Sequence, residues 1–152
     1  MIKLVSIVYR PKDAENTPEH YVRVPLNEAT LVADFGIDGD AKGGGERNLN
    51  IMSSDVMAQL ATEGFITTPG TMGEQLIVEG VDVNALPTGT RLKIGDSACV
   101  VLSIPRTGCG KFERSLGKPR EEAAGRLGMM AQVELGGRIT VGDTITVINS
   151  GA

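Results

Sequence analysis

The apolar residues of this chain fall in short runs rich in β-branched side chains, and glycines separate the runs. Runs of this length and composition, bounded by turn-forming residues, are typical of β-strands. We therefore predict strands in KLVSIVY, YVRVPL, ATLVADF, EQLIVEG, TRLKIG, ACVVLSI, AQVELGG and DTITVIN. The pattern predicts a mainly β protein, either a barrel or a sandwich.

One segment, SSDVMAQLATEG, has helical periodicity instead. Ser53 or Ser54 can cap its start, Asp55 suits the first turn, and Gly64 predicts its end. We expect one apolar face made of Val56, Met57, Leu60 and Ala61. A weaker helical pattern, PREEAAGRLG, begins at Pro119, a residue suited to a first helical turn. The chain is thus expected to contain one or two short helices.

Two segments repeat one pattern: GTRLKIGD, residues 89–96, and GGRITVGD, residues 136–143. Each ends in a Gly-Asp pair before another β run, so we predict a hairpin at each. Neither copy contains a reactive side chain. We therefore interpret them as similar barrel hairpins and not as duplicated binding loops.

Composition predicts one domain over residues 1–152 with an aliphatic core, since 41% of residues are hydrophobic and only 3% aromatic. A net charge of −4 argues against general nucleic-acid binding, which needs a basic surface. No apolar run approaches the length of a membrane span, and the first ten residues do not resemble a signal peptide. We expect a cytoplasmic protein that does not associate with membranes.

Two cysteines do not form a disulfide framework, so each is considered alone. Cys99 lies in a strand-like run and is expected to be a buried structural residue. Cys109, in SIPRTGCGKFER, lies between Gly108 and Gly110, which let a ligand approach its sulfur closely. Residues 106–126 contain six basic and three acidic side chains, a charge that favours a thiolate. The residues alone leave two alternatives open, a reactive thiol or a turn cysteine on a solvated basic surface.

The glycine-rich stretch between residues 36 and 52 is too long and polar for a tight hairpin. Long loops in compact domains are often functional, although a solvated surface loop is the alternative. Arg47 lies in this stretch, and its guanidinium group can hold an anion through a bidentate contact. The side chains that we predict to face a ligand are Asp38, Asp40, Lys42, Arg47 and Asn48.

Several familiar sites are excluded or disfavoured. Pro105 and Phe112 stand where a phosphate-binding P-loop needs glycine and Ser or Thr. One histidine, His20, and two cysteines match no zinc-finger spacing. A cysteine hydrolase would require His20 to reach Cys109 across the fold.

The ordered series GIDGDAKGG, RNLNIMSSDVM, PGTMGEQLIVEGVDVNALPTGTRLKIGDSACVVLSIPRTGC and GRLGMMAQVELGGRITVGDTITV resembles the MOSC family, named for the C-terminal domain of molybdenum-cofactor sulfurase. The resemblance covers residues 36–148. It implies a barrel-like, antiparallel MOSC or pyruvate-kinase-type β domain with helices at its side. It also implies a cysteine that binds sulfur or molybdenum.

The family pattern places this catalytic and metal-ligating cysteine at Cys109. It places the associated cofactor-binding residues at Arg47, Glu74 and Arg106, and Asn48 and Lys111 complete the set that we predict. The sequence also departs from the commoner pattern. Ala41 and Lys42 occupy the positions where a histidine often stands, and Gln75 and Gly108 replace residues that are often Asn and Pro, so the ligand set is expected to differ.

The resemblance implies a sulfur carrier: Cys109 accepts sulfur from a pyridoxal-phosphate-dependent cysteine desulfurase and delivers it to a molybdenum centre in a molybdoenzyme or cofactor-biosynthesis protein. Pyridoxal phosphate would act only through that partner, because these 152 residues contain neither a desulfurase domain nor the additional N-terminal barrel of amidoxime-reducing relatives. One alternative is a protein that binds or carries the molybdenum cofactor (molybdopterin). Another is a small molybdenum-dependent oxidoreductase module, and the last is a protein-interaction module without chemistry.

Overall fold

The computed structural model describes residues 1–11, 23–40, 49–106 and 125–148. These residues form strands, one α-helix and a short 3-10 helix at Val83–Ala85. The strands are β1 Ile2–Tyr9, β2 Val24–Leu26, β3 Glu28–Val32, β4 Gly36–Ile37, β5 Leu49–Ser53, β6 Leu76–Glu79, β7 Arg91–Ile94, β8 Ala98–Pro105, β9 Met129–Leu135, β10 Gly137–Thr140 and β11 Thr144–Ile148, and the helix is α1 Ser54–Thr62.

Seven of the described strands close into a barrel in the order β11-β7-β8-β9-β5-β6-β1. The closing pair is β1 with β11, where Ile2 lies opposite Ile145. The barrel pairs are antiparallel except β5 with β6, which run parallel. A parallel pair needs a crossover connection, and α1 provides it. The predicted barrel-like β fold is therefore confirmed, with one parallel pair within it.

The first predicted hairpin is confirmed and the second is wrong. β7 and β8 pair across the turn, with Ile94 opposite Ala98. β10 instead pairs with β3, whereas β11 pairs with β7 and β1. The Asp143 carboxylate accepts a hydrogen bond from the Thr140 N–H at 2.8 Å. This turn thus carries the chain out of the three-stranded sheet β10-β3-β4 into the barrel.

Two clusters of buried side chains form the core. The larger one contains side chains from all seven barrel strands. The smaller one packs α1 against β5 and β6 and contains Met52, Met57, Leu60, Phe65, Met72, Ile77 and Leu127. Every residue of β5 is buried. Leu49 and Ile51 belong to the larger cluster and Met52 to the smaller one, so β5 lies between the two.

The predicted helix is confirmed, with two corrections. Gly64 has a positive φ of 97°, as expected of a residue that ends a helix. Ala61 is exposed and does not join the buried face. Ser53 precedes the helix, but its hydroxyl accepts a hydrogen bond from the Val83 N–H at 2.9 Å and does not cap the helix. In the second predicted helix, residues 119–124 lie outside the described ranges and residues 125–128 are not helical.

Candidate functional site

The loop that leads into β6, GTMGEQ at residues 70–75, is the centre of the candidate site. Gly70 and Gly73 have positive φ values of 87° and 83°. A Cβ on Gly70 would lie 3.1 Å from the Cβ of Arg23, and one on Gly73 would lie 2.5 Å from Nη2 of Arg106. Glycine is favoured at both positions because of the positive φ, and at Gly70 also because Cγ1 of Val8 would lie 2.9 Å from an added Cβ.

Glu74 is a fully buried carboxyl group within this loop. Its Oε2 accepts a hydrogen bond from the Gly70 N–H, whereas Oε1 has no hydrogen-bond partner among the described residues. Burial raises the pKa of Glu74, and the Gly70 and Glu74 N–H groups and the charges of Arg23 and Arg106 oppose that shift. The carboxyl group therefore lies buried close to two half-buried arginines.

Arg106 is held through both its backbone and its side chain. Its N–H donates to the Gly128 carbonyl at 3.0 Å, and its Nη1 donates to the Met72 carbonyl. Arg106 directly follows the end of β8 at Pro105. The segment that contains Cys109 therefore begins at a residue fixed against the 70–75 loop.

Gln75 joins three parts of the chain through its buried amide. Its Oε1 accepts from the Asn50 N–H at 2.7 Å, and its Nε2 donates to Oδ2 of Asp40 at 3.3 Å. The other oxygen of Asp40 accepts from the Arg10 N–H at 3.0 Å. Asp40 and Asn50, which stand on either side of residues 41–48 in the sequence, are therefore joined through Gln75.

Asn50 contributes a second buried polar group. It is only 2% exposed, and neither its amide nitrogen nor its oxygen has a hydrogen-bond partner among the described residues. Gly128 packs against it, and Asn84 holds Gly128 through two reciprocal hydrogen bonds of 2.9 Å. Buried amides in native proteins normally bond to protein, water or a ligand. Asn50 is therefore a candidate ligand contact.

Of the residues predicted from sequence, the structure brings Glu74 and Arg106 together. Asp40 was predicted to face a ligand, but it is fully buried and bonded within the Gln75 network. The predictions for Arg47, Asn48, Cys109 and Lys111 lie outside the described residues. Sequence reasoning missed Arg23 and Asn50. The polar Asn50 within an otherwise apolar buried strand was the available signal for the second of these.

Cys99 is buried, at 6% exposure, as expected for a structural cysteine. Burial raises the pKa of its thiol, as does the charge of Glu134, while Arg91 opposes the shift. Within residues 1–11, 23–40, 49–106 and 125–148, no group of three His, Cys, Asp or Glu side chains is arranged to hold a metal ion. No helix in those ranges has the length and apolar character needed to cross a membrane.

We expect Glu74→Gln to alter the pH dependence of stability. Burial raises the pKa of Glu74. At pH values between the ordinary carboxyl pKa and the raised value, Glu74 is therefore protonated in the folded protein and ionised in the unfolded chain. The unfolding free energy of the unaltered protein, relative to the variant, should therefore fall as pH rises from about 4 towards neutrality. Urea unfolding of both proteins across this range measures the difference.

Glu134→Gln is the matched control. In the unaltered protein Glu134 forms a salt bridge with Arg91 at 2.9 Å, which lowers the pKa of Glu134. The unfolding free energy of the unaltered protein, relative to Glu134→Gln, should therefore rise with pH through the acid range. If the unfolding free energy of the unaltered protein relative to Glu74→Gln also rose with pH, the charges of Arg23 and Arg106 would have a larger effect on the pKa of Glu74 than burial has.

The family model described as the MOSC domain matches residues 38–146. A crystal structure of the YuaD protein from Bacillus subtilis has a TM-score of 0.79 at 18% identity, covering 98% of this chain and 97% of that one. YiiM from Geobacillus stearothermophilus has a TM-score of 0.76 at 20% identity, covering 98% of this chain and 76% of that one.

YiiM from Escherichia coli has a TM-score of 0.72 at 18% identity, covering 97% of this chain and 70% of that one. No curated protein matches the sequence significantly. At these identities the three structures establish a shared fold.

Proposed function

Because the chain belongs to the MOSC domain family, we propose that it is a sulfur carrier for molybdenum-cofactor chemistry, with Cys109 as the sulfur-accepting residue. The observation that supports this most is the anchoring of Arg106 on the 70–75 loop beside Glu74. Only three peptide units separate Arg106 from Cys109, so covalent geometry limits their Cα atoms to about 11 Å apart. We expect the charge of Arg106 to favour the thiolate form of Cys109.

The proposed step is an exchange between sulfur atoms. The Cys109 thiolate attacks the terminal sulfur of a persulfide on a partner cysteine desulfurase, and the desulfurase thiolate leaves. One S–S bond forms as another breaks, so no external oxidant is needed. Nearby cations favour the thiolate, which is the attacking form. Delivery to a molybdenum centre on a second partner would be the next transfer.

Sulfur loading tests the proposal. We expect the protein, incubated with a cysteine desulfurase, pyridoxal phosphate and cysteine, to gain one sulfur atom that a thiol reductant removes. Intact-mass spectrometry measures the gain, and peptide mapping locates it. Cys109→Ala should gain none.

Cys99→Ala is the matched control and should load normally, because Cys99 is buried and burial raises the pKa of its thiol. Equal loading of the unaltered protein and Cys109→Ala, or no loading of either, would contradict the proposal.

Cofactor binding is the second candidate function, and the polar groups around the 70–75 loop favour it. The cations Arg23 and Arg106 suit the phosphate of molybdopterin, and the buried Asn50 amide suits the donor and acceptor edge of its pterin. The described residues therefore fit such a group. Arg47, Asn48 and Lys111 would add contacts, and the cofactor would supply the molybdenum atom that Cys109 ligates.

Elemental analysis separates the two functions. Protein purified from a host that makes the cofactor should contain molybdenum and pterin if it is a stable binder. Cys109→Ala should lose the metal, whereas Asn50→Ala should lose pterin more than it loses sulfur loading. Cofactor-free protein that cannot take up added cofactor would contradict this second function.

A further inference from the structure

One glycine carbonyl links the side chain of Asn84 to the backbone of Arg106. Asn84 Nδ2 donates to the Gly128 carbonyl, and its Oδ1 accepts from the Gly128 N–H, both at 2.9 Å. The same carbonyl accepts from the Arg106 N–H at 3.0 Å. The three residues therefore form one hydrogen-bonded group, although Asn84 and Gly128 are 44 positions apart in the sequence.

The 3-10 helix that carries Asn84 is fixed to the barrel. Val83 is fully buried in the larger core cluster, and its N–H donates to the Ser53 hydroxyl at 2.9 Å. The Asn84 N–H donates to Oδ1 of Asp82 at 3.0 Å where the 3-10 helix begins. Because core packing and β5 hold its backbone, Asn84 offers Gly128 a fixed partner.

Gly128 depends on such a partner because it is buried and lies outside the strands. Its φ is 88°, and it directly precedes β9. Buried N–H and C=O groups in native proteins are almost always paired, and one asparagine amide supplies both a donor and an acceptor. Without Asn84, a glycine with few steric restrictions could rotate and turn its carbonyl away from the Arg106 N–H.

In the sequence, Arg106 precedes and Gly128 follows the stretch that contains Cys109. We propose that Asn84 is a positioning residue for sulfur transfer: by fixing the Gly128 carbonyl it fixes the backbone of Arg106, the point from which the chain runs to Cys109. The inference rests on the proposed function, in which Cys109 accepts sulfur. A displacement of about 1 Å at a reacting group can cost about a hundredfold in rate, so placement of this backbone matters.

Amide hydrogen exchange, followed by NMR on the full chain, tests the placement of Arg106. In Asn84→Ala we expect the Arg106 N–H to exchange about tenfold faster, the value of one hydrogen bond. Asn84→Asp keeps nearly the same shape and one acceptor but loses the donor to the Gly128 carbonyl. It should also speed this exchange, and it serves where Asn84→Ala fails to fold.

The rate of sulfur loading tests the consequence for Cys109. With a cysteine desulfurase at increasing concentration, both Asn84 variants should load about tenfold more slowly at saturation. The desulfurase concentration that gives half the maximal rate should change by less than about twofold. Asn84 is half-buried and Gly128 is buried, so neither is expected to form the docking surface.

Thr90→Val is the matched control for a loss of stability alone. It removes the hydroxyl that donates to the Pro87 carbonyl at 2.7 Å, while a branched side chain of nearly the same shape remains. Urea unfolding should show a loss of stability in this variant as in the Asn84 variants. Exchange at Arg106 and the maximal loading rate should stay as they are in the unaltered protein.

Unchanged exchange at Arg106 in Asn84→Ala or Asn84→Asp would overturn the proposal, as would equal effects in Thr90→Val. Faster exchange with an unchanged loading rate would overturn the role of Asn84 in sulfur transfer. If the unaltered protein gains no sulfur, the proposed function fails instead. The exchange measurement then decides by itself whether Asn84 fixes Arg106, because it requires no sulfur chemistry.

Discussion

Gln75→Glu is expected to lower the free energy of unfolding at pH 7 by about 3 to 5 kcal/mol, the range for an uncompensated buried charge. The Gln75 amide donates to Oδ2 of buried Asp40 across 3.3 Å. Glutamate is nearly the same shape, but it removes this donor and brings a second carboxylate to the same distance. Urea unfolding at pH 7 measures the loss.

Part of this loss should return as the pH falls. Two adjacent buried carboxyl groups share a proton, so one of them is protonated above the ordinary carboxyl pKa. In the Gln75→Glu variant the folded state then binds more protons than the unfolded state, and acid stabilises it relative to the unaltered protein. Unfolding measured at about pH 5 should show the smaller difference.

Gln132→Glu provides the matched control. The Gln132 amide donates to Oδ1 of Asp34 at 2.7 Å, in the same Gln-to-Asp arrangement but exposed to solvent. Solvent screens the repulsion between the new carboxylate and Asp34, so we expect the free energy of unfolding to change by less than about 1 kcal/mol. Comparable losses in the two variants would show that burial of the Asp40 network does not determine its energetics.

Gly128→Ala is expected to destabilise the protein by about 2 to 4 kcal/mol. Gly128 has a positive φ of 88°, and a Cβ there would collide with the Ile51 carbonyl and lie 2.7 Å from Cγ of Met52. The Ile51 carbonyl belongs to a buried strand and cannot move freely. Thermal or urea unfolding measures the effect.

Gly125→Ala separates backbone strain from collision. Gly125 has a similar φ of 78°, but among the described residues no heavy atom other than those of its chain neighbours lies within 4 Å of an added Cβ. Only the cost of the left-handed conformation remains, about 1 kcal/mol. If both variants lose the same stability, the packing of Gly128 against β5 is not the cause.

The strand pattern was largely predictable because most barrel strands pair with antiparallel neighbours and are bounded by glycine. β5 was missed for a physical reason. Its five residues are all buried, and its one strongly polar member, Asn50, interrupts the apolar run. The second hairpin was predicted wrongly because Gly142 and Asp143 signal a turn without indicating which strands pair on either side.

The candidate site was predictable only in part. Glu74 and Arg106 follow from the family pattern, and the structure places them together. Arg23 has no distinguishing signal in the sequence, since a surface arginine and one packed on a distant glycine look alike. Asp40 appeared to be one of several polar loop residues, but a hydrogen bond from Gln75 fixes it in the interior.

The sequence by itself determined the mainly β class, the helix beginning near Ser54, the buried role of Cys99 and the family to which the chain belongs. Local periodicity, turn chemistry and ordered motifs carry that information, because each depends on residues close together in the chain. Only the tertiary structure decided which strands close the barrel and which arginines meet Glu74. Those contacts join residues far apart in the chain, such as Ile2 and Ile145 at the closure of the barrel, and only the folding of the chain brings them together.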